Sequence, residues 1–217
     1  MPMTPEGFAF SFSETGFVAR PSGALYWPQK RTLVVSDLHL GKSTRYARQR
    51  HILLPPYEIE ETLNRLEREI SLLSPETVIS LGDSFDDHTA ISEIGAPHLA
   101  RLDRLTRQHD WIWITGNHDP NSQALPFGGV VRHDVGTRPI FRHIKGDGPD
   151  VSGHLHPVYP LAGRRFRSFV VTDHHLIMPA FGSYTGGLSL SDPAFQGWTS
   201  SGRALLCGEA VFEVPLP

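Results

Sequence analysis

Three short apolar runs constrain what this chain can fold into more than any other feature. They are "TLVVSD" ending at Asp37, "TVISLGD" ending at Asp83, and "WIWITGNHD" ending at Asp119. Each is rich in β-branched or aromatic residues and closes on a polar cluster, as strands buried on both faces do. Between the first two, Ile59, Leu63, Leu66, Ile70 and Leu73 recur at steps of four, three, four and three, which predicts a helix with one buried stripe. Between the second and third, Ile91, Ile94, Leu99, Leu102 and Leu105 give a looser helical pattern over residues 90–108. The order β-α-β-α-β implies parallel strands joined by right-handed crossovers, with their carboxyl ends along one rim. Asp37, Asp83 and Asn117 are therefore expected to converge, although they are far apart in the chain.

Ahead of this unit, "FAFSF" and "GALYW" bracket the turn "RPSG" and predict two further strands. After it, "GGVVRHDVGTRPIFRH", "DVSGH", "SFVVTDHHLIMPAF" and "RALLCGEAVFEV" are short alternating or apolar runs divided by Gly and Pro, which predicts a mostly β second half. The sum is an α/β fold of two packed mixed β-sheets sandwiched between helices, in one domain over residues 1–217. The Gly-rich stretch 182–197 is the expected mobile loop. No window approaches a membrane span, and the first thirty residues have no signal-peptide pattern, so a soluble, unexported protein is expected. The single cysteine, Cys207, excludes an internal disulfide and a thiolate metal cage and fits a reducing cytoplasm.

The chemistry-bearing residues gather where the strands end. In "SDLHLGK", Asp37 and His39 sit two apart, so both can reach one ion. "LGDSFDD" supplies Asp83, with Asp86 and Asp87 open to a second use as helix caps. "TGNHDP" places Asn117, His118 and Asp119 together, where Asp119 is expected to orient the His118 imidazole. In "VSGHLHP", His154 and His156 face one rim while Leu155 turns to the core, so that each can serve one metal. One more nitrogen ligand is needed. His143, at the end of "RPIFRH", is preferred over His133 on the partner strand. The donors are oxygen and imidazole without thiolate, which suits Mn²⁺, Fe or Zn²⁺. With Asp83 as the shared carboxylate, two such ions acidify water toward neutrality, so that hydroxide attacks in line at phosphorus. His118 is left uncommitted to metal and can protonate the leaving oxygen.

The net charge is −3, yet only three of the 20 basic residues are Lys. Any basic surface is thus made of guanidinium forks, which suit phosphate. "KSTRYARQR" places Arg45 and Arg48 just past the first ligand pair, and "GRRFR" places Arg164 and Arg165 just past the last. These four are the candidate substrate-binding residues, with a solvated surface as the alternative.

The series DLH, GD, GNHD, an isolated His and GHLH, spanning residues 37–156, resembles the calcineurin-like metallophosphoesterases. The resemblance implies a four-layer α-β-β-α fold. It implies one ion on Asp37, His39, Asp83 and His156, a second on Asp83, Asn117, His143 and His154, and His118 as the catalytic imidazole. Two divalent ions, most often Mn²⁺ in bacterial members, would be the cofactors. More narrowly, "TLVVSDLHLGKS", "LLPP", "GDSFDD", "SGHLHP" and "MPAFGSYTGG" are similar to the ligase-associated DNA damage response endonucleases. That similarity implies a DNA substrate, single-stranded or structured, and association with a DNA ligase, a helicase and an exonuclease encoded nearby. Where many relatives carry His-Glu-Pro this chain has "FRHIKGDG". A phosphodiesterase acting on a small nucleotide and a non-catalytic scaffold of the same fold are the alternatives.

Overall fold

The structure is a computed structural model in which residues 7–119, 125–199 and 201–217 are described. The first seven strands, β1 (Phe8–Phe12), β2 (Thr15–Ala19), β3 (Leu25–Trp27), β4 (Thr32–Val35), β5 (Thr77–Leu81), β6 (Asp110–Ile114) and β7 (Val130–Arg132), lie in that order in one sheet. β1 to β4 are antiparallel neighbours, and β4 to β7 are parallel. The parallel core is the predicted β-α-β-α-β unit. Its crossovers carry α1 (Lys42–Arg50) and α2 (Glu58–Leu73), then α3 (Ala90–Glu93) and α4 (Ala96–Gln108). The helix predicted across residues 90–108 is thus two helices. Ile94 is extended as the C-cap of α3, Gly95 caps α4, and a proline follows in its first turn.

The second sheet runs β15 (Val211–Pro215), β14 (Arg203–Cys207), β12 (Arg164–Val171), β13 (His175–Ile177), β10 (Asp150–Ser152), β9 (Ile140–Arg142), β8 (Asp134–Val135), with β11 (Val158–Leu161) paired to β12. It too is mixed, since β9, β10 and β13 are parallel and the other pairings antiparallel.

Alternation along β4 explains the layering. Leu33 and Val35 face α2 and α4, in a core with Leu63, Leu66, Leu102 and Leu105. Val34 points the other way, into a core between the sheets with Ile79, Leu81, Phe141, Val151, Phe169 and Leu176. The two packed mixed sheets with their helices are the expected α/β architecture. Among the described residues the outer face of the second sheet is covered by residues 182–199 with a short 3₁₀ turn, Pro193–Phe195, packed on Val170, Ile177, Ala204 and Leu206. The stretch read as a mobile loop therefore forms a layer. Phe195 is fully buried there, a burial worth roughly 2 kcal/mol.

The strand β2 was not foreseen. It follows β1 through the two-residue turn Ser13–Glu14, both left-handed at φ 49° and 62°. That geometry matches the twist of a hairpin but lacks the usual Asn or Gly signal.

Candidate metal centre

Asp37 follows β4, Asp83 follows β5 and Asn117 follows β6, each at the carboxyl end of a parallel strand. His143 follows β9 and His154 follows β10, a parallel pair in the other sheet. The two rims meet. The amide of His154 approaches Asp37 Oδ2 at 3.1 Å, across 117 residues.

The donors fall into two groups. Asp37, His39 and His156 bring one oxygen and two ring nitrogens within 4.8 Å of one another, and Asp83, His143 and His154 do the same. The two histidines of "GHLH" are thus divided between the groups, and Leu155 packs against the apolar cover of the second sheet. Asp83 lies between the groups, its Oδ2 3.3 Å from His143 Nε2 and 3.9 Å from His39 Nε2. Asn117 Oδ1 is 3.1 Å from His143 Nε2, on the second group's side. His133, the alternative to His143, stands apart, with its side chain 92% exposed beside Asp134.

Several atoms suit a cation better than they suit each other. His156 Nε2 and Asp37 Oδ1 are 3.0 Å apart, yet His156 Nε2 and His39 Nε2 are buried without an aligned hydrogen bond. His143 Nδ1 is 2.8 Å from the Leu81 carbonyl, which can only accept, so Nδ1 carries a proton and Nε2, 3.2 Å from His154 Nδ1, is the nitrogen turned toward the other donors. Imidazoles oriented through their far nitrogen are a regular feature of metal sites. The residues fit a pair of divalent ions.

The backbone around them is strained. Asp37, His39, Asp83, His154 and His156 have φ of 54°, 44°, 46°, 66° and 45°. Such values are uncommon outside glycine and cost about 1–3 kcal/mol each, persisting where the surroundings over-determine them. Two close approaches contribute here. Any Cβ on Gly153 would collide with Ser36 Oγ and Asp37 Oδ2, and one on Gly116 with the amide and Oδ1 of Asp83.

Charge is balanced by proximity. Burial opposes ionisation of Asp37, but His156, His143 and His39 outweigh it and hold the carboxyl below its ordinary range. Burial opposes Asp83 in the same way, and contact with His143 brings it to about 2. Burial disfavours the His143 imidazolium, yet Asp83 and Asp37 raise its pKa to about 9. His154 is lowered by burial and then by the His143 charge.

His118 borders both groups. Its amide donates to Asp83 Oδ1 at 2.8 Å, and its ring centroid is 5.4 Å from that of His39. The expected orienter is not the one found. Asp119 accepts from the Gly116 and Phe85 amides at 2.8 and 3.1 Å, and burial raises its pKa. The His118 ring is held by the Asp86 carbonyl, 3.0 Å from Nδ1. Asp119 shapes the loop and Asp86 sets the ring.

Asp86 is the residue that sequence reasoning left undecided. It is fully buried, its Oδ1 is 3.0 Å from His39 Nδ1 and 3.7 Å from Lys42 Nζ, and its Oδ2 pairs with Arg45. Burial opposes its charge, but His39 and Arg45 bring it to about 2. Arg48 pairs with Asp87 and Glu93. Arg45 and Arg48 are thus occupied by carboxylates, which corrects the expectation that they present free forks to a phosphate chain. Arg164 stacks on Phe166 at 5.0 Å, and Arg165 donates to the Gly187 carbonyl at 3.0 Å. Both are exposed.

Hard oxygen and imidazole donors in two facing groups, with a spare imidazole at their margin, are the equipment of a metal-dependent phosphoesterase. Comparison with known proteins narrows this class. The profile of the calcineurin-like phosphoesterases matches residues 30–195, and the chain belongs to that family. The crystal structure of Pseudomonas putida nuclease MPE is similar with a TM-score of 0.76 and 27% identity, covering 96% of this chain and 100% of that one. Yfce, a phosphoesterase from E. coli, aligns with a TM-score of 0.41 and 15% identity, over 86% of this chain and 99% of that one. No curated protein sequence gives a significant match. Among the described residues, no helix is long and apolar enough to cross a membrane.

Proposed function

We propose that this protein is a binuclear metal phosphodiesterase that cleaves DNA, working in DNA repair in the cytoplasm as one domain over residues 1–217. The observation that carries this reading is the division of donors into two facing groups, with Asp83 between them and His118 beside them. The likeness to the P. putida nuclease across nearly the full chain supports nucleic acid over a small nucleotide as substrate.

Asp37, His39, Asp83 and His156 would hold one ion, and Asp83, Asn117, His143 and His154 the other, Mn²⁺ in preference to Fe or Zn²⁺. The ions supply Lewis-acid charge against the phosphoryl oxygens and the activation of water. The chain's own part is positioning and proton transfer. With Nδ1–H given to the Asp86 carbonyl, the His118 ring has Nε2 free to carry a proton to the leaving oxygen. Asp119 keeps Gly116 and Phe85 in place around it. Of the arginines, Arg164 and Arg165 remain available to touch substrate, whereas Arg45 and Arg48 act through Asp86 and Asp87. A DNA ligase, a helicase and an exonuclease are the proposed functional associates.

The test is a time course with the Mn²⁺-loaded protein on supercoiled plasmid, single-stranded oligonucleotide and cyclic nucleotides. Internal cleavage of the oligonucleotide is expected. Turnover of cyclic nucleotides with DNA untouched would replace this reading with the small-nucleotide one. Failure on all substrates with metal bound would leave a scaffold.

A further inference from the structure

Arg45 and Arg48 are neutralised by carboxylates of their own chain. Arg65 and Arg167 stand in a different setting, with one carboxylate, Glu61, paired to Arg65. Arg65 on α2 donates to the Phe181 carbonyl at 2.6 Å and to Ser183 Oγ at 3.0 Å. Arg167 on β12 donates to the adjacent Ala180 carbonyl at 3.3 Å. Two like charges therefore stand on consecutive carbonyls. Arg167 is half-buried and has no carboxylate at ion-pair distance among the described residues; its charged form is opposed by burial and then by Arg65, with Glu61 a smaller, favourable charge nearby. A guanidinium does not escape by deprotonating. A buried charge left unpaired is costly until a counter-ion joins it.

Arg65 also lines a cavity of about 310 Å³ with Arg20, Ser22, Arg68, Glu69 and Glu209. Glu69 pairs with Arg20 at 2.8 Å, and Glu61, beside the cavity, pairs with Arg65 at 3.0 Å. Arg68 and Glu209 are the remaining charged groups of the lining, and Arg167 stands next to Arg65. One segment ties Arg65 to the Asp37 turn. The Phe181 amide donates to the Ser36 carbonyl at 2.7 Å, and the Gly182 amide to the Asp37 carbonyl at 3.1 Å. The segment that carries the two guanidiniums on one side holds the Asp37 turn on the other.

We infer that the cleft lined by Arg65 and Arg68, with Arg167 beside Arg65, is a phosphate-binding subsite, taking a backbone phosphate of the strand whose scissile bond lies at the metal centre. Guanidinium forks match the geometry of phosphate oxygens, and an anion here adds countercharge beside the Arg65–Arg167 pair, which Glu61 meets only in part. The source of that phosphate rests on the nuclease reading. The same chemistry would accept inorganic phosphate.

The test compares wild type with Arg68→Gln and Arg167→Gln, both Mn²⁺-loaded, on an oligothymidylate and on bis(p-nitrophenyl) phosphate. Each substitution is expected to raise KM for the oligonucleotide, to shrink the slope of log affinity against log salt by about 0.7, and to leave aryl diester hydrolysis unchanged. Unchanged KM and slope, or equal losses on both substrates, would overturn the subsite. Arg167→Gln also removes the like-charge pair, so its Tm without DNA is expected to equal or exceed that of wild type. If it fails to fold, the exposed Arg68→Gln decides. Wild type that hydrolyses the aryl diester but neither binds nor cuts the oligonucleotide would sink the nuclease reading. In that case inorganic phosphate raising the Tm of wild type but not of Arg68→Gln supports the subsite, and no such rise overturns it.

Discussion

The Asp86 carbonyl holds the His118 ring at Nδ1, 3.0 Å away, while the same residue's carboxylate lies 3.0 Å from His39 Nδ1. One residue thus serves a candidate ligand through its side chain and the candidate general acid through its main chain. Asp86→Asn keeps the second contact and weakens the first. Metal affinity is expected to fall roughly 10–100-fold, the usual effect of losing a partner behind a metal-bound histidine. Turnover at saturating Mn²⁺ should stay near the wild-type value, because the carbonyl that holds the His118 ring is untouched. Metal titration followed by kcat at saturating Mn²⁺ checks both.

His118 and Asp83 should separate turnover from binding. His118→Ala is expected to retain both ions and lose about 10²–10⁴-fold in kcat. Asp83→Ala should lose metal first, since its carboxylate lies between the two donor groups. Elemental analysis beside the kinetics decides, and metal content falling together with activity in His118→Ala would refute the division of roles.

Gly153 leaves no room for a methyl group beside Ser36 and Asp37. Gly153→Ala should destabilise the protein by about 1–3 kcal/mol as an overpacked site. It should also displace Asp37 and weaken the group it shares with His39 and His156. Denaturant unfolding and metal stoichiometry are the measurements. A variant with wild-type values for both would mean that the rims are looser than their packing indicates.

The pH dependence of the chelated protein follows from two shifted groups. Asp83 is lowered from 3.8 to about 2, so its contribution to stability is complete above pH 3.8 and is lost as pH falls through 2. His143 is raised from 6.5 to about 9, so its contribution is complete below pH 6.5 and is lost as pH rises through 9. Tm is expected to be highest between these limits. Mn²⁺ should flatten the alkaline fall, because a ligated imidazole has already lost that proton. Thermal scans across pH, with chelator and with Mn²⁺, check this.

Much of this was legible in the sequence because strand ends are local signals with a global consequence. Once "TLVVSD", "TVISLGD" and "WIWITGNHD" read as parallel strands, topology alone brings Asp37, Asp83 and Asn117 to one rim. The spacing in "GHLH" was equally informative, since a two-residue step can send each imidazole to a different group. Other features depend on contacts that no pattern encodes. The carboxylate of Asp86 and the carbonyl that steers His118 are neighbours of His39 only after folding. In residues 182–199, Gly, Ser and Pro mask the irregularly spaced anchors Leu190, Phe195 and Trp198, so a packed layer looked like an open loop. The arginines near the motifs were judged without their partners, and those partners lie up to 45 residues away.

Five of the seven candidate donors hang from turns that an L-residue enters reluctantly. Glycine would ease any of those turns but would remove the donor itself. The chain can relax its backbone there only by giving up its hold on a cation, so awkward turns and ion capture must be kept or surrendered together.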